Sequence, residues 1–247
     1  FKHMNCIYRF SELPILRKYN EGEMIERLEI TRETIESGQL EEFLIDVEKR
    51  GLLDRSSPEY REQTQKKAIS HFDPSEDIWL FAYGSLLWNP TIAYEEIRLG
   101  HLFGFHRRFC LQTLLGRGTP ECPGLMLALD YGGSCKGLAY RISRKLAENE
   151  LRIIWNREMV SNSYVAKVVR LKTETGPLKA ITFAINRENK RYSGKLAINK
   201  IADVVAISKG PMGSCSDYLF QTIDKLTEHG LTDSHLDKLA RLVQERL

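Results

Sequence analysis

Apolar residues recur at helical spacing through Ile25, Leu28, Ile35, Leu40, Phe43, Leu44 and Val47, within a stretch (11–71) otherwise rich in Glu, Lys and Arg and free of tryptophan. Such a stripe is one helix face wide and needs a partner surface to bury it. Gly51 and Pro58 interrupt the stripe, so the spacing predicts two or three helices rather than one long one, packed on a main domain. An independent protein-binding module is the lesser alternative for this segment.

From Ile78 the period changes. A continuous apolar run, Ile78-Trp79-Leu80-Phe81-Ala82-Tyr83, reads as a buried strand. Further strands are expected at 101–111, 124–130, 135–142, 163–172 and 178–186, with turns at Gly132-Gly133 and Gly176-Pro177. A helix over about 144–159 falls between the fourth and fifth strands. Two more are expected near 194–208 and 214–229, and an amphipathic one runs from Ser234, capped by Asp233 or Ser234. This order is not a regular βα alternation, which argues against a doubly wound nucleotide fold. The expected architecture is α+β: a mixed, barrel-like sheet with flanking helices over residues 78–247, preceded by a helical N-terminal extension over 1–77.

Composition narrows the function classes. The 247 residues are 42% hydrophobic and 28% charged, as a soluble globular chain requires, and the net charge of +3 comes without a dense Lys/Arg run, so no nucleic-acid partner is expected. No apolar stretch approaches a membrane span, and the opening residues lack the apolar core of a secretory signal. Five cysteines, Cys6, Cys110, Cys122, Cys135 and Cys215, are scattered without a CxxC pair, which fits reduced thiols in a cytoplasmic protein better than disulfides or structural zinc. Cys110 lies in an apolar strand and reads as a small core residue. Phosphate loops, dinucleotide glycines and paired metal ligands are all missing, so neither cofactor nor metal is expected.

Candidate chemistry starts where the first strand stops, at Gly84-Ser85. A strand ending in such a turn presents peptide N–H groups to an anion or oxyanion, although many strands end this way with no ligand. Ser85 lacks the G-x-S-x-G elbow, so backbone donation suits this turn better than nucleophilic attack. On the 144–159 helix, Ala147, Leu151, Ile154 and Glu158 share one stripe, while Glu148, Arg152 and Arg157 are expected to point elsewhere. Glu158 is then either a buried carboxylate able to shuttle protons or a helix-end residue paired with a nearby Lys or Arg. Arg117 sits in a Gly-flanked loop, free to reach a ligand carboxylate or simply solvated. Arg107 and Arg108 alternate, one outward and one near a site edge. Tyr218 is open between core packing and a pocket role.

Several of these residues stand in motifs that follow one another in a known order: Tyr83-Gly84-Ser85-Leu86, Trp88-Asn89-Pro90, Gly104–Cys110, Gly116–Pro120, Pro123-Gly124, Gly137–Arg141, Trp155–Met159, Gly210–Gly213 and Asp217–Phe220. Over roughly 78–222 the chain resembles the ChaC-type γ-glutamylcyclotransferases. The resemblance implies a compact barrel of six or so strands with flanking helices. It also implies cofactor-independent cleavage of glutathione to 5-oxoproline and cysteinylglycine. Glu158 takes the position of the family's catalytic glutamate; Tyr83, Gly84, Ser85 and Leu86 take that of its γ-glutamyl-binding turn; Arg117 and Tyr218 are expected to contact substrate. One departure stands out. Many members carry Arg after Pro-Gly where this chain has Leu125, which bears on glutathione as the preferred substrate. Other γ-glutamyl dipeptides or γ-glutamylamines are the alternative substrates, and a non-catalytic γ-glutamyl-binding or protein-interaction module is the alternative of another class.

Overall fold

Two very long antiparallel strands dominate the computed structural model, which describes residues 29–247: β2 (Glu96–Thr113) and β3 (Gly124–Ile142). They close a five-stranded barrel with β1 (Ile78–Ala82), β4 (Tyr164–Thr173) and β5 (Gly176–Ile185), in the order β1-β3-β2-β4-β5. The barrel shuts through β5, which runs parallel to both β1 (Leu80 beside Ile181) and β3 (Leu129 beside Ala184).

The count corrects the expectation of separate strands at 124–130 and 135–142, because these are one strand. Gly132 and Gly133 do not end it; they sit at φ +97° and +68°, where the β2–β3 ladder shifts register opposite Gly104 at φ +84°. Positive φ is open to glycine, so three glycines bend the paired ladder without breaking it. Among the described residues the barrel has five strands and no sixth; the other strands form a two-residue ribbon, β6 (Lys209–Gly210) with β7 (Gly213–Ser214).

Among the described residues three helices precede the barrel: α1 (Arg32–Glu36), α2 (Gln39–Lys49) and α3 (Pro58–Ile69). Gly51 follows α2 at φ +74°, and Pro58 opens α3 behind a Ser57 cap, so both punctuation marks act as read. Ile35, Leu40, Leu44 and Val47 enter the same hydrophobic cluster as Leu151, Ile154 and Trp155 of α4 (Ala147–Glu158). Ile25, Leu28 and Cys6 lie outside the described residues. Helix α4 starts at Ala147 because residues 143–146 form a turn, with Leu146 N–H donating to the Ser143 carbonyl at 2.9 Å. Helices α5 (Ile198–Ile207), α6 (Cys215–Glu228) and α7 (Ser234–Gln244) complete the shell, and Asp233 caps α7. Among the described residues no helix is long and apolar enough to cross a membrane.

Side chains of β1 alternate between two clusters: Ile78, Leu80 and Ala82 meet the helices, while Trp79, Phe81 and Tyr83 pack with Leu102, Leu129 and Ala184. Gly137 permits the strand crossing beneath them, since a Cβ there would stand 2.2 Å from the Ala82 carbonyl oxygen.

Candidate active site

The end of β1, the end of α4, the loops after β2 and the start of α6 converge on one cavity of about 620 Å³. All seven residues singled out in the sequence line it: Tyr83, Gly84, Ser85, Leu86, Arg117, Glu158 and Tyr218.

Glu158 is the last helical residue of α4, and the stripe beneath it (Ala147, Leu151, Ile154) is fully buried. Its side chain keeps 14% exposure, and Oε1 lies 3.0 Å from Nε of Arg157. Burial raises the Glu158 pKa above the usual carboxylate range, and the guanidinium beside it moderates the rise. Glu158 is thus largely enclosed in the cavity wall and paired with Arg157.

Arg157 corrects the sequence reading, which turned it away from Glu158. It is buried; its Nη1 donates to the Asn89 carbonyl and lies 3.4 Å from the Thr91 hydroxyl, anchoring the loop that follows the Tyr83–Leu86 turn. The chain just beyond Glu158 is held as well: Ser56 N–H donates to the Val160 carbonyl at 3.0 Å and its hydroxyl donates to the Met159 carbonyl. Residues between α2 and α3 thus fix the exit of the glutamate-bearing helix.

The turn is built with little slack. Ser85–Leu87 form a single 3₁₀ turn. A Cβ at Gly84 would stand 2.8 Å from the Tyr218 hydroxyl. Tyr218 is buried between Trp88 and Phe109, both in edge contact, and burial with Glu158 nearby raises its pKa. Tyr83 contributes differently from expectation at the side-chain level: its hydroxyl donates to the Phe183 carbonyl at 2.9 Å. Its own carbonyl accepts from Nε of Arg107 at 3.1 Å, while Nη1 of Arg107 pairs with Asp233 at 2.8 Å. Arg107 is thus the arginine at the site edge, and Arg108 turns toward Asp130. Among the described residues no histidine lines the cavity beside Ser85.

Arg117 is not a free loop residue. Its Nη1 donates to the Ser214 carbonyl at 2.8 Å, and its guanidinium lies 5.3 Å and 5.8 Å from the ring centres of Tyr218 and Trp88. Burial lowers its pKa. The surrounding glycines explain themselves by contact: a Cβ at Gly118 would meet Gly124 N at 2.2 Å, and one at Gly210 would meet the Gly116 carbonyl at 2.6 Å.

The remaining wall was not assigned by sequence. Leu40, Phe43 and Leu44 of α2 and Leu53 line one side, together with Thr31 and Arg32, whose guanidinium is paired with Glu150 at 2.7 Å. Tyr164, Arg191, Trp88 and Met212 close others. Leu125 is buried in the core and does not reach the cavity. No group of three or more metal-type ligands occurs among the described residues.

A barrel whose first strand ends in a Gly-Ser turn facing a buried glutamate defines a γ-glutamylcyclotransferase-like protein. The fold agrees with a solved γ-glutamyl cyclotransferase specific to glutathione from yeast, at TM-score 0.64 and 22% identity over 68% of this chain and 96% of that one. A family model described as ChaC-like protein matches residues 78–246, and the chain belongs to that family. It is 37% identical to the glutathione-specific γ-glutamylcyclotransferase of Escherichia coli (strain K12) over 171 residues, 69% of this chain and 74% of the relative. To the human glutathione-specific γ-glutamylcyclotransferase 1 it is 31% identical, over 66% of this chain and 77% of the relative.

Proposed function

We propose that this protein cleaves glutathione by cyclising its γ-glutamyl group, releasing 5-oxoproline and cysteinylglycine. The observation that carries the reading is a buried carboxylate, Glu158, in one cavity with the Tyr83–Leu86 turn; the names of the E. coli and human relatives support the substrate. The catalytic unit is residues 78–247, and the preceding helices are an extension that walls its pocket.

The reaction is an intramolecular acyl transfer. Glu158 takes a proton from the substrate α-ammonium, and the freed amine attacks the γ-carbonyl carbon. The attacking nitrogen gives up a second proton as the five-membered lactam forms and the amide C–N bond to cysteine breaks. Glu158 relays both protons, one after the other, to the departing nitrogen, which leaves as an ammonium and returns Glu158 to its carboxylate. Turn N–H groups hold the γ-glutamyl portion and the oxyanion; Tyr218 and Arg117 orient its carbonyl and carboxylate. No protein nucleophile, water or cofactor enters this sequence.

Incubation with glutathione is expected to yield 5-oxoproline and cysteinylglycine in equal amounts, with slower release from γ-glutamyl-alanine. Equal or faster release from γ-glutamyl-alanine reassigns the substrate, and no release from either removes the cyclotransferase reading.

The base must be ionised to accept the ammonium proton. Since burial raises the Glu158 pKa, the acid limb of the kcat/KM profile is expected above the ordinary carboxylate range, with activity lost as pH falls through it. Arg157 lowers that pKa, so Arg157→Gln shifts the limb to still higher pH. A limb that stays in place would show that Glu158 does not set it.

A further inference from the structure

Among the described residues the cavity is lined by four arginines, Arg32, Arg117, Arg157 and Arg191, and by two glutamates, Glu29 and Glu158. Arg157 is matched by Glu158, and Arg32 by Glu150. Arg117 and Arg191 also line the cavity, and among the described residues neither forms an ion pair with an Asp or Glu. The Asp217 carboxylate acts on Arg117, whereas no carboxylate acts on Arg191, and a buried charge is costly until it is paired, so the Arg191 end of the site is incomplete.

Arg191 is held as a fixed donor. It lies in the polar turn after β5, where its N–H donates to Asn189 Oδ1 at 2.9 Å. Its carbonyl accepts from the Gln112 N–H and its Nε donates to the Gln112 carbonyl, both at 2.8 Å, which stitches residues 191–193 along the end of β2. This reciprocal pair uses Nε alone. The two terminal nitrogens retain four N–H donors in a planar fork, which suits a carboxylate bidentately. The titratable neighbour acting on the guanidinium is the Tyr164 phenol, whose pKa burial raises, so it stays neutral at ordinary pH.

The two arginines occupy different parts of the cavity. Arg117 packs on Tyr218, whose hydroxyl touches the Gly84 turn, so it belongs with the γ-glutamyl end. Arg191 hangs from Gln112 beside Tyr164. A γ-glutamyl peptide carries two carboxylates, one on the glutamyl α-carbon and one at its far end; a γ-glutamylamine carries only the first.

We propose that Arg191 binds the terminal carboxylate of the leaving peptide and so selects γ-glutamyl peptides over γ-glutamylamines. The inference rests on the cyclotransferase reading for its substrate and adds a specificity residue to it.

The test compares glutathione with its glycine monoethyl ester, which keeps every other group. Wild-type protein is expected to favour glutathione about 10–100-fold in kcat/KM, chiefly through KM, as one charge-assisted contact allows. Arg191→Gln should bring that ratio near one by impairing glutathione alone. Arg191→Lys, a point charge without the fork, should keep only part of it. Unchanged handling of the ester certifies the fold; a ratio that survives in Arg191→Gln, or an equal loss on both substrates in a folded protein, overturns the proposal. Should Arg191→Gln not fold, a full ratio in Arg191→Lys overturns it instead. Calorimetry in a Glu158→Gln background separates this idea from the reaction itself. There glutathione should bind about 10–100-fold more tightly than the ester, and adding Arg191→Gln should erase the difference. Absence of 5-oxoproline from the wild-type protein, with that difference in affinity intact in the Glu158→Gln background, refutes the cyclotransferase reading alone, and equal affinities or no binding refute the role of Arg191.

Discussion

Glu158→Gln is expected to lower kcat for 5-oxoproline release by about 10²–10⁴-fold, the range that a positioned proton-transfer group contributes. The amide keeps the shape of the carboxyl and an acceptor for Arg157 Nε, so the Asn89–Thr91 loop stays anchored and glutathione binding stays close to wild type. What disappears is the proton acceptor. Without it the α-ammonium remains charged and cannot attack. The loss should appear in kcat with a flattened acid limb, while calorimetric affinity persists. Turnover near the wild-type rate would remove Glu158 from the chemistry, and unaltered pH dependence of the residual activity would assign the limb to another group.

The largest expected effect on stability is at Trp155. Its side chain is 1% exposed, its ring meets Phe183 edge-on at 5.1 Å, and its indole N–H donates to Thr64 of α3 at 3.0 Å. One side chain therefore joins the helix carrying Glu158 to the preceding helices and to the barrel. Trp155→Ala leaves a large void and is expected to cost about 3–5 kcal/mol, read as a lower urea midpoint at nearly constant slope. Activity should fall beyond the loss of folded protein, because Phe183 lines the cavity and its carbonyl holds the Tyr83 hydroxyl. Trp155→Phe retains most of the volume and should recover the greater part of the stability. A cost below about 1 kcal/mol for the alanine variant would show that the site collapses freely around the gap.

How much of this was legible depends on the range of the interaction that decides each feature. Helical spacing put Glu158 above Ala147, Leu151 and Ile154, and the buried stripe is found as read, because neighbours four apart share a face whatever lies beyond. The same rule failed for Arg157. Its partner loop, Asn89–Thr91, is remote in sequence, and at the end of the helix a long side chain reaches what periodicity does not see. Gly132-Gly133 carried a turn signal, yet the backbone freedom that makes hairpins also makes a bend, and only the partner strand with Gly104 selects the bend. The stripe on α2 predicted burial correctly without revealing that Leu40, Phe43 and Leu44 bury against the cavity. Arg191 gave no signal at all: in a polar turn a guanidinium that serves a site looks like one that serves solvent.

The wall contributed by α2 separates two kinds of inheritance. The turn, Glu158, Arg117 and Tyr218 lie within residues 78–246, the span shared with the family, whereas Leu40, Phe43 and Leu44 lie before it. The proposed bond-breaking machinery and part of the cavity wall around it are thus encoded in different stretches of chain. Substitutions in the earlier stretch can retune which molecules enter while leaving the proton path alone, so two relatives with the same barrel need not share the same diet.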